Sequence, residues 1–325
     1  MRTFFSSLTL SLLATASGHA QSSPLEKEIA RIEPHSGGIL GVAAIHLESG
    51  KTFFRNADAT FPMASTYKVP MAVQAFKLVE EGKLSLDQMI TIEPTDVHIS
   101  EEWAGVFQAP GVSLSLRNII EPMLIFSENS ATDKILAIDG GGGAVTARIK
   151  SFGIDGMRVD RSTADLIAGS MGVPDIWTAG KYDKGKWERG IAGVSKARQD
   201  STPAVYLNDP RDQTTPRSMM TLLAKIWRGE LLTKDHTSYL LDIMARCETG
   251  KARIRGMLPP GTKVAHKTGT FPGTVNDVGI IDLPDGTHVA VALYIKGSTK
   301  VEGPDLEATI AQSARAIYDY FLYGN

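Results

Sequence analysis

Cysteine is almost absent from this chain, and most thiol chemistry goes with it. The 325 residues contain one, Cys247, so a disulfide framework and a thiolate metal site are excluded. A small residue packed in the core is the expected role of Cys247, with a reactive thiol as the sharper alternative. Histidine is scarce as well: the seven are scattered, with no H-E-x-x-H and no pair at ligand spacing. No metal is implied, and no organic cofactor. A basic stripe is also missing. Lys and Arg number 34 against 36 Asp and Glu, a balance that points to neither nucleic acid nor an anionic lipid surface. Beyond the N-terminus no apolar run approaches the length of a membrane span, and no internal repeat is visible.

The N-terminal run is itself short. Arg2 supplies a positive start, Phe4 to Leu13 an apolar stretch, and Gly18-His19-Ala20 small residues before Gln21. Residues 1–20 therefore read as a removable signal peptide rather than an anchor. No cysteine follows the cleavage point, which argues against a lipoprotein. Residues 21–325 are expected to form one exported, soluble catalytic domain, periplasmic or secreted and monomeric, with no stable membrane anchor.

What is present begins with a short amphipathic helix near Pro24 to Ile32. The apolar segment Gly38 to Leu47, the turn Glu48-Ser49-Gly50-Lys51 and then Thr52-Phe53-Phe54 predict a β-hairpin. Helical spacing follows over Ser65 to Glu81, with apolar residues at Val69, Val73, Phe76 and Val79 and a stop at Gly82. Further helices are expected over Leu116 to Phe126, Ala131 to Ala137, Ala144 to Phe152 and Arg217 to Arg228. The run Gly140 to Gly143 reads as a flexible lead into the third of these; a phosphate cradle would need a P-loop lysine that is not there. Strands are expected over Lys263 to Thr270, Asp277 to Leu283 and Val289 to Ile295, then a helix from Asp305 to Tyr323. Residues 170–206, rich in Gly, Pro, Lys and Asp, are the least regular stretch. The order of elements fits an α/β fold better than two independent domains. In it an antiparallel sheet, built from both ends of the chain (about 21–64 and 217–325), is flanked by helices and carries a helical subdomain (about 65–216).

Ser65-Thr66-Tyr67-Lys68 opens the first of the long helices. Ser65 and Lys68, three apart, share one face, so the amine can reach the hydroxyl. A serine is a weak nucleophile until a neighbour takes its proton, and a lysine does so only when burial or another cation lowers its pKa. Alone, the pair is weak evidence, and a helix start with a solvated lysine is the preferred reading of it. Two further motifs change this. Ser127-Glu128-Asn129 lies in a break between helices, and His266-Lys267-Thr268-Gly269-Thr270 lies on a strand.

Together the three motifs resemble the S-x-x-K, S-D-N and K-T-G set of class A serine β-lactamases and penicillin-binding proteins. The resemblance spans nearly all of the chain beyond the leader and implies their fold and roles. Ser65 would form an acyl-enzyme, and Lys68 would accept or relay its proton. Ser127 would pass a proton to the leaving nitrogen, helped by Lys267, whose charge attracts the substrate carboxylate with Thr268 beside it. The N–H groups of Ser65 and Thr270 would form the oxyanion hole. Asn129 would hold the substrate amide and orient Lys68, and Gly269 would leave room for substrate along the strand edge. Glu128, in place of the usual aspartate, is expected to be structural. Arg253 resembles an arginine that binds the substrate carboxylate in some subgroups, with a surface ion pair as the alternative. Trp103 falls where an aromatic gate is often found, with core packing as the alternative. The substrate would be a small-molecule β-lactam or a cell-wall peptide.

One departure matters. The family closes a loop with an Arg–Asp pair, here Arg161 and Asp212, around a glutamate that activates the deacylating water. The loop 161–212 is enlarged, and that glutamate is missing. Counting forward from Arg161 places Thr163 there; counting back from Leu207-Asn208 places Ala204. Neither is a base at neutral pH. Three readings stay open. An acid from the loop (Asp165, Asp183, Glu188, Asp200 or Asp209) substitutes in a β-lactamase; or deacylation is slow, as in a penicillin-binding protein or D,D-peptidase; or the fold serves as a non-catalytic binding or sensing module.

Overall fold

A computed structural model describes residues 23–98, 102–300 and 303–324; the signal peptide expected at 1–20 lies outside them. Five antiparallel strands form the main sheet: β1 (Ile39–His46), β2 (Thr52–Arg55), β3 (Val264–Phe271), β4 (Thr274–Asp282) and β5 (His288–Lys296). Their order is β2-β1-β5-β4-β3, so both ends of the chain interleave and β3 is an edge.

The period-two alternation of side chains divides the sheet cleanly. Leu40, Val42 and Ala44 of β1 and Val289, Val291, Leu293 and Ile295 of β5 face the helices Pro24–Ile32 and Pro304–Tyr323. There they meet Leu25, Ile29, Leu306, Ile310 and Phe321. Ala43, Ala290, Ala292 and Tyr294 face the other way, onto Leu222, Leu223 and Ile226 of the Pro216–Trp227 helix. Burial on both faces explains why β1 and β5 read as unbroken apolar runs rather than alternating ones. Each fully buried Leu or Ile contributes about 2 kcal/mol.

The helical half is organised around Lys68–Glu80. The sequence suggests one apolar stripe on this helix, but every residue from Lys68 to Phe76 is buried. It is a central helix, surrounded by neighbours rather than lying on a surface. Its buried Gln74 is satisfied by the Asp139 carbonyl at 3.2 Å and by Arg148 at 2.8 Å.

The segment 170–206 corrects the expectation of irregularity. It holds the hairpin Trp177–Thr178/Lys181–Tyr182 and the helices Lys184–Ala192, Lys196–Asp200 and Thr202–Asn208. Ser162, Asp183 and Ser195 start helices by accepting the N–H of Asp165, Lys186 and Arg198, a capping signal that was legible in the residue types. A small core of Ala164, Ala168, Val173, Ile176 and Tyr182 holds the segment together. The helix Lys234–Ala245 and the hairpin Met89–Ile92/Val112–Ser115 were also not anticipated.

Candidate active site

The site assembles where the central helix meets edge strand β3. A 3₁₀ turn, Ala64–Tyr67, carries Ser65 and runs into the helix, the Lys68 N–H closing back onto the Ser65 carbonyl. Ala64 takes a positive φ of 45°, unusual for a residue with a side chain. The Tyr206 hydroxyl accepts its N–H at 3.0 Å. Asn276 secures the same turn from β4, its amide donating to the Pro62 and Met63 carbonyls at 2.9 and 3.1 Å. β3 lies directly against it. A Cβ on Gly269 would fall 2.6 Å from the Met63 carbonyl and 3.1 Å from the Ser65 nitrogen. The glycine is thus needed for the approach of the strand to the Ser65 turn, a contact distinct from the role along the strand edge that the resemblance implies.

Ser127 occupies the break between the helices Arg117–Ile125 and Asn129–Ile138, also at positive φ, 64°. Lys68 Nζ donates to the Ser127 carbonyl at 2.6 Å, to Ser127 Oγ at 3.0 Å and to Asn129 Oδ1 at 2.9 Å. Lys267 Nζ approaches the same Ser127 Oγ at 3.0 Å and donates to the Thr268 carbonyl at 3.0 Å. Four groups from three separate parts of the chain therefore converge. Glu128 caps the Asn129–Ile138 helix by accepting the Ala131 N–H; its contribution is structural.

Both lysines are fully buried. Burial is the main cause that lowers Lys267 to about 8, aided by Arg253 and opposed by Cys247 and Asp277. Beneath it, burial alone would push His266 down, but the Asp277 carboxylate, 2.8 Å from His266 Nδ1, carries it up to about 9. Cys247 is buried beside them, its sulfur 3.3 Å from Thr249 Oγ1. Thr249 in turn meets Thr268 Oγ1 at 2.6 Å.

Arg253 is neither a surface ion pair nor an open carboxylate receptor. It is 6% exposed. It bonds Glu307 at 3.0 Å, the Gly269 and Asn276 carbonyls at 3.2 and 3.0 Å, and Thr270 Oγ1 at 2.7 Å. It braces β3 against β4 and reaches the site through the exposed Thr270. Trp103 is 6% exposed and packs on Phe107 in the main core. Core packing, not a gate, is its place. Arg161 and Asp212 meet at 2.7 Å, and Asp212 also accepts the N–H groups of Asp160 and Arg161.

With this geometry in view, the relatives are informative. The model of the β-lactamase enzyme family matches residues 24–321. The chain belongs to this family, in its class A serine branch. It is 28% identical to the extended-spectrum β-lactamase PER-1 of Pseudomonas aeruginosa, covering 93% of this chain and 89% of that one. It is 30% identical to β-lactamase CTX-M-97 of Escherichia coli, covering 86% and 84%. A solved β-lactamase from Chitinophaga pinensis DSM 2588 superposes with a TM-score of 0.75 at 29% identity, covering 92% of this chain and all of that one.

For a class A β-lactamase the loop is the unusual part. Thr163 is 5% exposed, its hydroxyl bonded to the Tyr67 hydroxyl at the end of the turn that carries Ser65. Asp133 pins it from below, accepting the N–H groups of Thr163 and Ala164 at 2.6 and 2.9 Å. Ala204 is exposed. Of the two positions, Thr163 is the one turned toward the turn that carries Ser65 and Tyr67.

The loop acids are engaged elsewhere. Asp165 accepts the Trp177 N–H, Asp183 caps a helix, and exposed Asp200 pairs with Lys196. Exposed Glu188 lies 3.8 Å from Lys184. Although burial opposes it, Arg211 and Arg161 hold Asp209 down at about 2, too acidic for a useful base. The loop's inner contacts through Thr163, Tyr206 and Asp133 had no sequence signal, because each joins residues tens of positions apart.

Proposed function

We propose that the protein is an exported serine β-lactamase that works through a Ser65 acyl-enzyme. The observation that carries this reading is Ser127 Oγ held 3.0 Å from both Lys68 Nζ and Lys267 Nζ, next to the turn that bears Ser65. Such a pair of amines lets one hydroxyl receive a proton from one side and deliver it on the other. Lys267 and the hydroxyls of Thr268 and Thr270 receive the substrate carboxylate. Asn129 holds the substrate amide. Ser65 Oγ attacks the lactam carbonyl while Lys68 relays its proton, and the Ser65 and Thr270 N–H groups take the oxyanion. The C–N bond then breaks, and Ser127 protonates the departing nitrogen.

Hydrolysis of the ester is the slow step in this reading. No carboxylate stands at Thr163, and its hydroxyl is committed to Tyr67. That observation also favours a second reading, a penicillin-binding protein that acylates and stalls. Intact-mass spectrometry with a penicillin, run beside turnover of a coloured cephalosporin, separates the two. A transient acyl adduct with continuing turnover supports the β-lactamase. A stoichiometric burst that stops supports the second reading, and the absence of any adduct defeats both.

A further inference from the structure

The loop 161–212 reaches the chain just before Ser65 at two successive backbone amides. The Asp212 carbonyl accepts the Met63 N–H at 3.0 Å, and the Tyr206 hydroxyl accepts the Ala64 N–H at 3.0 Å. Asp212 belongs to the loop's closure with Arg161. Tyr206 comes from the short helix Thr202–Asn208 and is 3% exposed. Its ring lies 4.0 Å, centre to centre, from that of Phe271, the residue after Thr270 on β3. Leu207, next to it, packs over Gly297 just past β5, where a Cβ would fall 3.2 Å from Leu207 Cδ2.

One side chain therefore touches the neighbours of both amides assigned to the oxyanion hole: Ser65 through Ala64, and Thr270 through Phe271. Such a hole is effective when its N–H groups are fixed before the charge develops. A displacement of about 1 Å can cost about a hundredfold in rate. The approach to Ser65 is strained, with Ala64 at a φ of 45°, and strain of this kind persists only where contacts enforce it. Asn276 fixes the Pro62 and Met63 carbonyls, whereas the Ala64 N–H is held by Tyr206. Burial, with Asp212 adding to it, pushes the Tyr206 phenol well above its ordinary value, so it stays neutral.

We propose that Tyr206 is a positioning residue for the oxyanion hole, a clamp from the enlarged loop that holds the Ser65 and Thr270 amides in register. The inference rests on the acyl-enzyme reading above. It gives the loop a part in acylation, separate from the missing deacylating base.

The test is rapid-quench mass spectrometry of acylation by a penicillin, with infrared difference spectra of the acyl-enzyme made from penicillin labelled at the lactam carbonyl. Tyr206→Phe keeps the ring on Phe271 and removes the acceptor. Acylation at saturating penicillin should slow about tenfold, with the half-saturating concentration unchanged. Tyr206→Ala removes both contacts and should slow it about a hundredfold, as when one oxyanion donor is lost. In both, the ester carbonyl should absorb at higher frequency than in the wild type, because a looser hole polarises it less. Tyr182→Phe, at another buried tyrosine of the same loop, should match the wild type in both readouts. An equal effect there would assign the hold to the loop at large and overturn the role of Tyr206. A wild-type rate and an unmoved ester band in Tyr206→Phe also overturn it, even if the urea midpoint falls, since that is the mark of a tyrosine that only supports the fold. A wild type that forms no adduct defeats the acyl-enzyme reading itself, and this inference falls with it, so the two failures are distinguishable.

Discussion

Lys68 and Lys267 have no exposed surface, whereas the loop helices Lys184–Ala192 and Lys196–Asp200 bury no residue at all. The two regions are held in different ways. At the site both lysines are held on Ser127, distant from each in sequence, Lys68 also by Asn129 and Lys267 also by the Thr268 carbonyl next to it, and Ala64 and Ser127 keep positive φ because their surroundings over-determine them. The loop rests on a small core of its own, on its Arg161–Asp212 closure, and on inward contacts from Thr163 and Tyr206. In the proposed mechanism acylation therefore falls to the part of the molecule that is bonded and buried most completely. The proposed step that needs a base falls to the loop, where neither Thr163 nor Ala204 can supply one.

Removing the nucleophile should have the largest effect. Ser65→Ala is expected to abolish the penicillin adduct in intact-mass spectra and to lower turnover about a thousandfold or more, with folding retained. An adduct that persists would separate the four converging groups from the chemistry. Next, Arg161→Ala strips the guanidinium from Asp212, which is 1% exposed. An uncompensated buried carboxylate costs about 3–5 kcal/mol, read as a lower midpoint in urea unfolding. A wild-type midpoint would show that the loop is held by its own core alone.

Supplying an acid sharpens the contrast further. Thr163→Glu should speed deacylation about a hundredfold, the low end of what a positioned base provides. The measurement is the decay of the acyl-enzyme by mass spectrometry after excess penicillin is removed. An unchanged lifetime would mean that the loop helix does not present this position to the ester. The smallest effect concerns Lys267. With its pKa lowered to about 8, the amine is charged at pH 7 and mostly neutral at pH 9. KM for a carboxylate-bearing β-lactam should therefore rise about tenfold across that interval. Stability should move the other way. The unfolded chain keeps the proton to about 10.5, so the burden of burying the charge is present below pH 8 and fades as pH rises from 8 to 10.5. A flat KM would place the substrate carboxylate elsewhere.

Much of this molecule was written in local pattern. The strands β3, β4 and β5, the Ser127 break and the opening of the Lys68–Glu80 helix all follow from periodicity and turn residues, which act over a few positions. The loop's helices were missed because they are short, 8 and 9 residues in the two that Ser162 and Asp183 cap, so the caps stood without a long periodic run behind them. The chain alone therefore determined the presence of a nucleophile, two amines and a second hydroxyl, and the lack of a glutamate between Arg161 and Asp212. Only the tertiary structure decided that Ser127 Oγ lies between the amines, that Gly269 clears the Ser65 turn, and that Arg253 braces a strand. It also decided that Thr163, rather than Ala204, faces inward. The reason is distance along the chain: propensity fixes neighbours, whereas contacts between residues some 60 to 200 positions apart exist only once the whole core has closed around them.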